Sequence, residues 1–523
     1  MSRAHAPWSG LAGLSLLLVL TLPLQACRGP AHRGMPEEPD AATSDAGSDD
    51  AGPGDAGISP LSLTASPNPN SVLSGIARVQ WTMPLTSIRV RVSSGASTQW
   101  TPAHAVAGES GSLVIPLLPL QAQTTYTAVA VGTDSTGGTI SSDVSSFKTG
   151  PLPSLVPLFD VADGGTPSPG NTLISVLAAG GLVTTDYLTV TDSTGAPVWY
   201  YAADSRLAGD FQQQPDGTFT MAVLDSSEAL AGLDDSLVIY RQVDVLGARL
   251  ALWAAQDVPD ASPPVSVVGT DGHDLRIQPN GDALLFGFVS QTMDMTAWGG
   301  VADAQVVANV LERITPTGFV TFSWNAFSYL DVANIDPASG SVTGPNVDFT
   351  HGNSIDVMAD GNYLLGMRNL SQLLKIDSST GAVLWKLGGK DGQFAFLNDP
   401  LGGFSCQHGG RELPNGDIIL FDDGNGHSPP RSRAVEYQLD TTAMTATLVW
   451  SAEDNPPLFS YILGYAQRLP NSNTLISYGT ALHIQEVDPA GNILWDLSDP
   501  TSDLGFYRAY RLDSLSPLVL TSE

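Results

Sequence analysis

Apolar and polar residues alternate in short runs over residues 60–150, as in Ala77-Arg78-Val79-Gln80-Trp81, Ser87-Ile88-Arg89-Val90-Arg91-Val92 and Tyr126-Thr127-Ala128-Val129-Ala130-Val131. Side chains of a strand point to opposite faces in turn, so each run reads as a half-buried strand. Several such runs joined by turn-rich links predict a small β-sandwich. No catalytic cluster accompanies them, and His104 reads as a surface or packing residue.

From residue 151 the pattern begins to repeat. One half of the repeat is a hairpin signal followed by an apolar strand: Pro169-Gly170-Asn171, Pro215-Asp216-Gly217, Pro279-Asn280-Gly281, Ala359-Asp360-Gly361, Pro414-Asn415-Gly416 and Pro470-Asn471-Ser472. Asn, Asp and Gly tolerate the positive φ that tight hairpins need. The other half is a second turn and a strand ending in tryptophan, at Trp199, Trp253, Trp324, Trp385, Trp450 and Trp495. The halves alternate six times, and each pair supplies four antiparallel strands. A single sheet of this kind cannot bury both of its faces, whereas radial stacking of six buries them and fills the seams with tryptophan. The expectation is an all-β chain: a six-bladed β-propeller over 151–523, preceded by a β-sandwich of immunoglobulin or fibronectin III type over 60–150. The aromatic stretch Phe506-Tyr507-Arg508-Ala509-Tyr510 is expected to supply a strand that closes the ring.

The first 59 residues break both patterns. Arg3 precedes an apolar run from Leu11 to Leu22 that ends in Leu24-Gln25-Ala26-Cys27. The run is short for a membrane span, and the tetrapeptide resembles a bacterial lipobox. Residues 1–27 are therefore expected to be a lipoprotein signal with Cys27 as the lipidated residue. Residues 28–59, rich in Ala, Gly, Pro, Ser and Asp, are expected to be a disordered acidic linker. An extracytoplasmic lipoprotein follows, periplasmic or attached at the outer membrane or cell surface. Of two cysteines, Cys406 is then left without a partner; it reads as a packed thiol. The chain carries 53 acidic and 22 basic residues and a net charge of −31. Such a field disfavours nucleic acid and anionic lipid surfaces as partners.

The phase of the repeat turns the histidines into a site. His273 and His408 each lie six residues before the proline of their hairpins, and His351 lies eight before Ala359. Each is expected at the start of an innermost strand, so three imidazoles should meet near one rim of the channel. Arg368, after the second strand of the fourth repeat, should return to that rim. Three readings stand on the residues alone: a three-histidine metal site, histidine-based transfer or hydrolysis of an oxyanion ester, and a glycan- or protein-binding propeller whose histidines are structural. A guanidinium beside the imidazoles suits an anion better than a cation. His427 and His483 have no matching partners and read as packing residues or, for His427, as a pocket border. Walker, Rossmann, CxxC and HExxH motifs are absent.

The segments DGHDLRIQPNGDAL (271–284), HGNSIDVMADGNYLLGMRN (351–369), IDSSTGAVLWKLGGKDGQF (376–394), SCQHGGRELPNGDIILFDDGNG (405–426) and AQRLPNSNTLISYG (466–479) resemble those of the bacterial arylsulfotransferases, the aryl-sulfate sulfotransferase family. The resemblance implies a six-bladed propeller that moves sulfate from a phenolic sulfate ester to another phenol, with no nucleotide, metal or other cofactor, by a ping-pong route through a sulfated histidine. It implies His408 as nucleophile, His273 and His351 as supporting pocket histidines, Asn353 as a substrate-binding neighbour and Arg368 as the sulfate-binding arginine. Family members often carry an acidic residue or threonine where this chain has Gly409. Some also brace the loop before the nucleophile with a disulfide, for which Cys406 has no partner.

Overall fold

The computed structural model describes residues 59–178, 187–203, 205, 208–224, 238–340, 342–499, 504–512 and 520–521. The expected signal segment, Cys27 and the acidic linker as far as residue 58 lie outside the described residues. Leu61–Glu523 form one compact unit. The described residues are all-β, with short 3-10 turns and no α-helix.

Between residues 61 and 148 two antiparallel sheets share one apolar core. Leu61–Pro67, Gly75–Trp81 and Gly111–Leu117 form the first, and Ser87–Ser94 pairs with Thr125–Thr133 at the centre of the second. The alternation read from the sequence is the burial pattern of these strands. Ala77, Val79 and Trp81 face inward with Ile88, Val90 and Val92, while Arg78, Gln80, Arg89 and Arg91 face out.

Six further sheets follow, each built on four antiparallel strands. The third runs Gly269–Ile277, Ala283–Met293, Ala304–Ile314, Val320–Asn325; the fourth runs Gly352–Val357, Tyr363–Met367, Gln372–Ile376, Val383–Gly388. The fifth begins with His408–Glu412 and Ile418–Asp422 and the sixth with Tyr465–Arg468 and Thr474–Ser477, while the second begins with Ala208–Gln213. The first sheet borrows a strand from the far end of the chain, because Leu504–Leu512 pairs with Asn171–Ala178.

Local chemistry explains the hairpins. Gly281 and Gly416 adopt φ of +86° and +88°, and the side chains of Asn280 and Asn415 accept hydrogen bonds from the amides of Asp282 and Asp417 at 3.1 Å. A turn followed by one left-handed residue is the usual form of a three-residue hairpin loop. In the sixth sheet Ser472 takes the same left-handed position at φ +73°.

Four of the six strand-ending tryptophans tie their sheet to another through the indole. Trp199 donates to the Val245 carbonyl (2.8 Å), Trp324 to Gly381 (3.0 Å) and Trp450 to Pro489 (3.1 Å), each in the outer turn of the following sheet. Trp495, in the last sheet, donates to Ser193 in the first (2.8 Å). Trp253 instead bonds Gln242 of its own sheet. Trp199 also stacks on Phe219 of the second sheet with ring centroids 4.9 Å apart. Truncating a ring buried this way costs about 3–5 kcal/mol.

The first strands contact one another in succession. Ala208–Gln213 touches Gly269–Ile277, which touches Gly352–Val357, then His408–Glu412, then Tyr465–Arg468. Leu504–Leu512 lies against both Tyr465–Arg468 and Ala208–Gln213.

Candidate active site

Four of these first strands are interrupted at comparable places. Pairing slips between Gly209 and Gln212, Thr270 and Leu275, Gly352 and Ser354, and His408 and Arg411. A bulge frees residues from the ladder and bends the strand, so polar side chains there can leave the sheet plane. The slips hold Asp210, the run Asp271-Gly272-His273-Asp274, Asn353, and Gly409-Gly410. His408 opens its strand as expected. His351 precedes its strand by one residue, at φ +48°, and His273 lies inside its strand rather than at its head, because the bulge lengthens that strand.

Two of the histidines nevertheless meet, and the third lies within their electrostatic reach. The rings of His273 and His351 sit edge to face with centroids 4.8 Å apart. The positive field at His408 comes from Arg368, His351, His273 and Arg508. Arg368 is tied to the same place, its amide donating to the His351 carbonyl at 3.1 Å. Asn353 donates from Nδ2 to the carbonyl of Gln407 (2.7 Å), the residue before His408.

Each of these imidazoles has an aspartate on Nδ1: Asp271 for His273, Asp348 for His351 at 2.5 Å, and Asp423 for His408 at 2.7 Å. Such a bond fixes ring orientation and leaves Nε2 as the working atom. His408 and Asp423 are both buried. Burial holds His408 well below the usual imidazole range, helped by Arg368, while burial raises the Asp423 carboxyl. Both shifts favour the uncharged forms, so the form with a nucleophilic ring is the one in which Asp423 is ionised and the only ring hydrogen faces it. With that hydrogen on Nδ1, Nε2 carries a free lone pair, and Arg368 favours this arrangement by stabilising the Asp423 anion. His273 behaves differently. Burial alone would lower its pKa, but the Asp271 carboxylate and its hydrogen bond outweigh burial and raise it.

Arg368 is buried yet makes no salt bridge among the described residues. Its guanidinium donates to the carbonyls of Ser339 (3.4 Å) and Tyr461 (3.1 Å) and to Asn369 Oδ1 (2.9 Å), and its Nε has no partner. A buried cation held only by neutral oxygens is a ready receptor for an anion.

Below the histidines Arg508 bridges Asp210 (2.8 Å) and Asp274 (3.2 Å), and its Nη2 donates to the Asn353 carbonyl at 2.5 Å. Asp274 also takes Arg411 at 2.7 Å. Burial would raise Asp274, but Arg276, Arg411 and Arg508 hold it far below the carboxylate range; burial raises Asp210 to about 7. Tyr507 donates from its hydroxyl to the His273 carbonyl at 2.5 Å.

The remaining candidates have other partners. His427 bonds Asp422 through Nε2 at 2.7 Å, and His483 bonds Asp496 at 2.9 Å within the sixth sheet. His104 is half-buried in the N-terminal sheets. Cys406 is buried, with its thiol pushed up to about 11 by burial, in keeping with packing. Gly409 has φ +64°, and a Cβ there would lie 2.4 Å from Tyr465 Cδ2, so no bulkier residue fits in this backbone. Among the described residues no group of three or more His, Cys, Asp or Glu has metal-ligating geometry.

The sequence reading missed the three aspartates and Arg508. Asp271 and Asp348 stand two and three residues before their histidines, a local signal that was available. Asp423 and Arg508 reach the site from other strands, and no spacing rule would have found them.

Residues 254–499 match the family model for arylsulfotransferase (ASST). No curated protein matches. Among solved structures, a Bacteroides caccae protein of unknown function has a TM-score of 0.39 and 14% identity, covering 68% of this chain and 100% of its own. A streptogramin B lyase has 0.34 and 9%, covering 66% and 89%, and the Kuenenia stuttgartiensis hydrazine synthase has 0.30 and 11%, covering 73% and 96%. All three scores are too low to bear on fold or activity.

Proposed function

We propose that this chain, with its arylsulfotransferase-family region at 254–499, transfers sulfate from a phenolic sulfate ester to a phenolic acceptor through a sulfated His408, without nucleotide or metal. The observation that carries the reading is the buried pairing of His408 with Asp423 next to Arg368, a guanidinium without a carboxylate partner among the described residues. In the first half-reaction the Nε2 lone pair attacks sulfur, an N–S bond forms and the S–O(aryl) bond breaks. Arg368 holds the transferring oxygens, with Asn353 beside it, while His273 or His351 gives a proton to the departing phenolate. In the second, the deprotonated histidine takes the acceptor's proton, the acceptor oxygen attacks sulfur, and the N–S bond breaks to restore His408.

The architecture proposed with this reaction is a closed six-bladed propeller over 151–523 and a β-sandwich over 60–150. It is supported by the succession of first-strand contacts returning through Leu504–Leu512 and by the bond from Trp495 back to Ser193. In such a ring the bulged innermost strands face one channel.

The test is transfer from 4-nitrophenyl sulfate to phenol by the full-length protein in detergent, without added nucleotide or metal. Turnover is expected for the native chain, with loss of at least about 100-fold in His408→Ala. Unchanged transfer by that variant rejects the nucleophile. Activity lost to a chelator and restored by zinc would favour the metal reading instead. The same proposal places the enzyme outside the cytoplasm on a lipid anchor. Radiolabelled palmitate should enter the native chain and not Cys27→Ser, and equal labelling would reject that anchor.

A further inference from the structure

The segment leading to His408 has little regular structure. Asn398, Gly402, Gly403, Cys406 and Gly409 all have positive φ, from +56° to +122°. Three of the five are glycines, which take positive φ without strain but add freedom, so contacts from outside must fix the path.

An ionic bridge does so. Arg433 forks onto Asp399 at 3.0 and 2.9 Å, donates from Nε to Asp422 at 2.9 Å, and reaches the Gly403 carbonyl at 2.8 Å. Asp399 in turn accepts the amides of Leu401 and Gly403 and the Tyr437 hydroxyl at 2.5 Å. Asp422 accepts the amide of Ser405 at 2.9 Å. Asp422 and Asp423 are neighbours at the end of one strand. One carboxylate thus holds the segment before His408, and the other holds the His408 ring.

We infer that Arg433 is a positioning residue for His408, acting through the Asp399–Arg433–Asp422 bridge on both the approach segment and the ring. The inference rests on the reaction proposed above. Two consequences distinguish it from mere stabilisation. Losing the fork loosens residues 399–405 and with them the aim of Nε2, which should slow the first half-reaction on the order of 10- to 100-fold while leaving donor KM little changed. Losing the cation also leaves Asp422 with only His427 Nε2 at 2.7 Å and the Ser405 amide as side-chain and backbone partners. The groups facing Asp423 are His408, Arg368, Asp422 and Cys406. A barer Asp422 makes Asp423 harder to ionise, so the proton shifts towards Asp423 and the acidic limb of the pH profile moves to higher pH.

The experiment compares the full chain with Arg433→Met, Arg433→Lys and Tyr437→Phe, reading the phenol burst, donor KM and pH profile, with thermal melts as a check of folding. Arg433→Met should show the slower burst and the displaced acidic limb. Arg433→Lys should keep the limb near its native position but recover the rate only in part. A folded Arg433→Met with native burst and native limb overturns the inference. Should Arg433→Met fail to fold, Tyr437→Phe, which loses one bond to Asp399 and no charge, should slow the burst without moving the limb; an unchanged burst then overturns it. Nitrogen NMR of histidine-labelled protein reads the His408 tautomer without any turnover, its signal identified by its loss in His408→Asn. A lower Nδ1–H fraction in Arg433→Met than in the native chain, with Arg433→Lys near native, supports the inference, and an unchanged fraction in Arg433→Met counts against it. Failure of the sulfotransfer reading would show separately, as absence of turnover in the native chain.

Discussion

At the scale of residues, the site is a set of histidine–aspartate pairs with unequal proton affinities. His408 is held neutral by burial and by Arg368, whereas the Asp271 carboxylate raises His273. That difference suits a nucleophile and a proton donor, and pairs of titratable groups pushed apart in this way mark acid and base roles. The pH profile should follow. Donor kcat/KM falls at low pH as the His408–Asp423 pair takes up a second proton and Nε2 loses its lone pair. It falls again at high pH as His273 loses the proton owed to the phenolate, above the usual imidazole range because the folded pKa is raised. Asp423→Asn keeps the shape but presents an amide to Nδ1. When the amide donates there, the ring hydrogen moves to Nε2, and a loss of about 100-fold or more in the burst is expected. His273→Gln should remove the alkaline limb. A profile with that limb intact would hand the acid role to His351.

At the scale of elements, what the sequence revealed and what it concealed divide by range. The hairpins at Asn280-Gly281 and Asn415-Gly416 were legible because the turn is written in two or three adjacent residues. The strand-ending tryptophans were legible as seam fillers because a large ring at a fixed point of a repeat has little else to pack against. Their indole bonds to the next sheet were not, since the acceptor is a backbone carbonyl that any sequence could supply. The bulges were also hidden. A period-two count assigns every residue of 271–274 to one face or the other, and only pairing with Ala283–Met293 shows that the run drops out of register. His273 thus lies against His351, as the phase of the repeat suggested, but inside its strand rather than at its head. Gly409 illustrates the same limit. It stood out in the sequence as a departure from the family pattern, but its reason is a contact with Tyr465 from the sixth sheet.

At the scale of the whole molecule, the strand that completes the first sheet also braces the site. Leu504–Leu512 pairs with Asn171–Ala178, which begins more than three hundred residues earlier, and a contact of that separation carries a high entropic cost before it is repaid. Its side chains are what join the two ends functionally. Tyr507 holds the His273 carbonyl, and Arg508 holds the Asn353 carbonyl while neutralising Asp210 and Asp274. In the ring proposed here, closure and assembly of the site are therefore one event. A chain ended after Asp499 should lose the cooperative melt and the phenol burst together, whereas Arg508→Met separates them. It keeps the strand but leaves two buried carboxylates under-compensated, at about 3–5 kcal/mol. The variant should melt lower and still cooperatively, with the burst reduced because the Asn353 carbonyl, and through Asn353 the backbone before His408, loses its support. A truncated chain that melts and sulfates like the native one would show instead that the site forms without the closing strand.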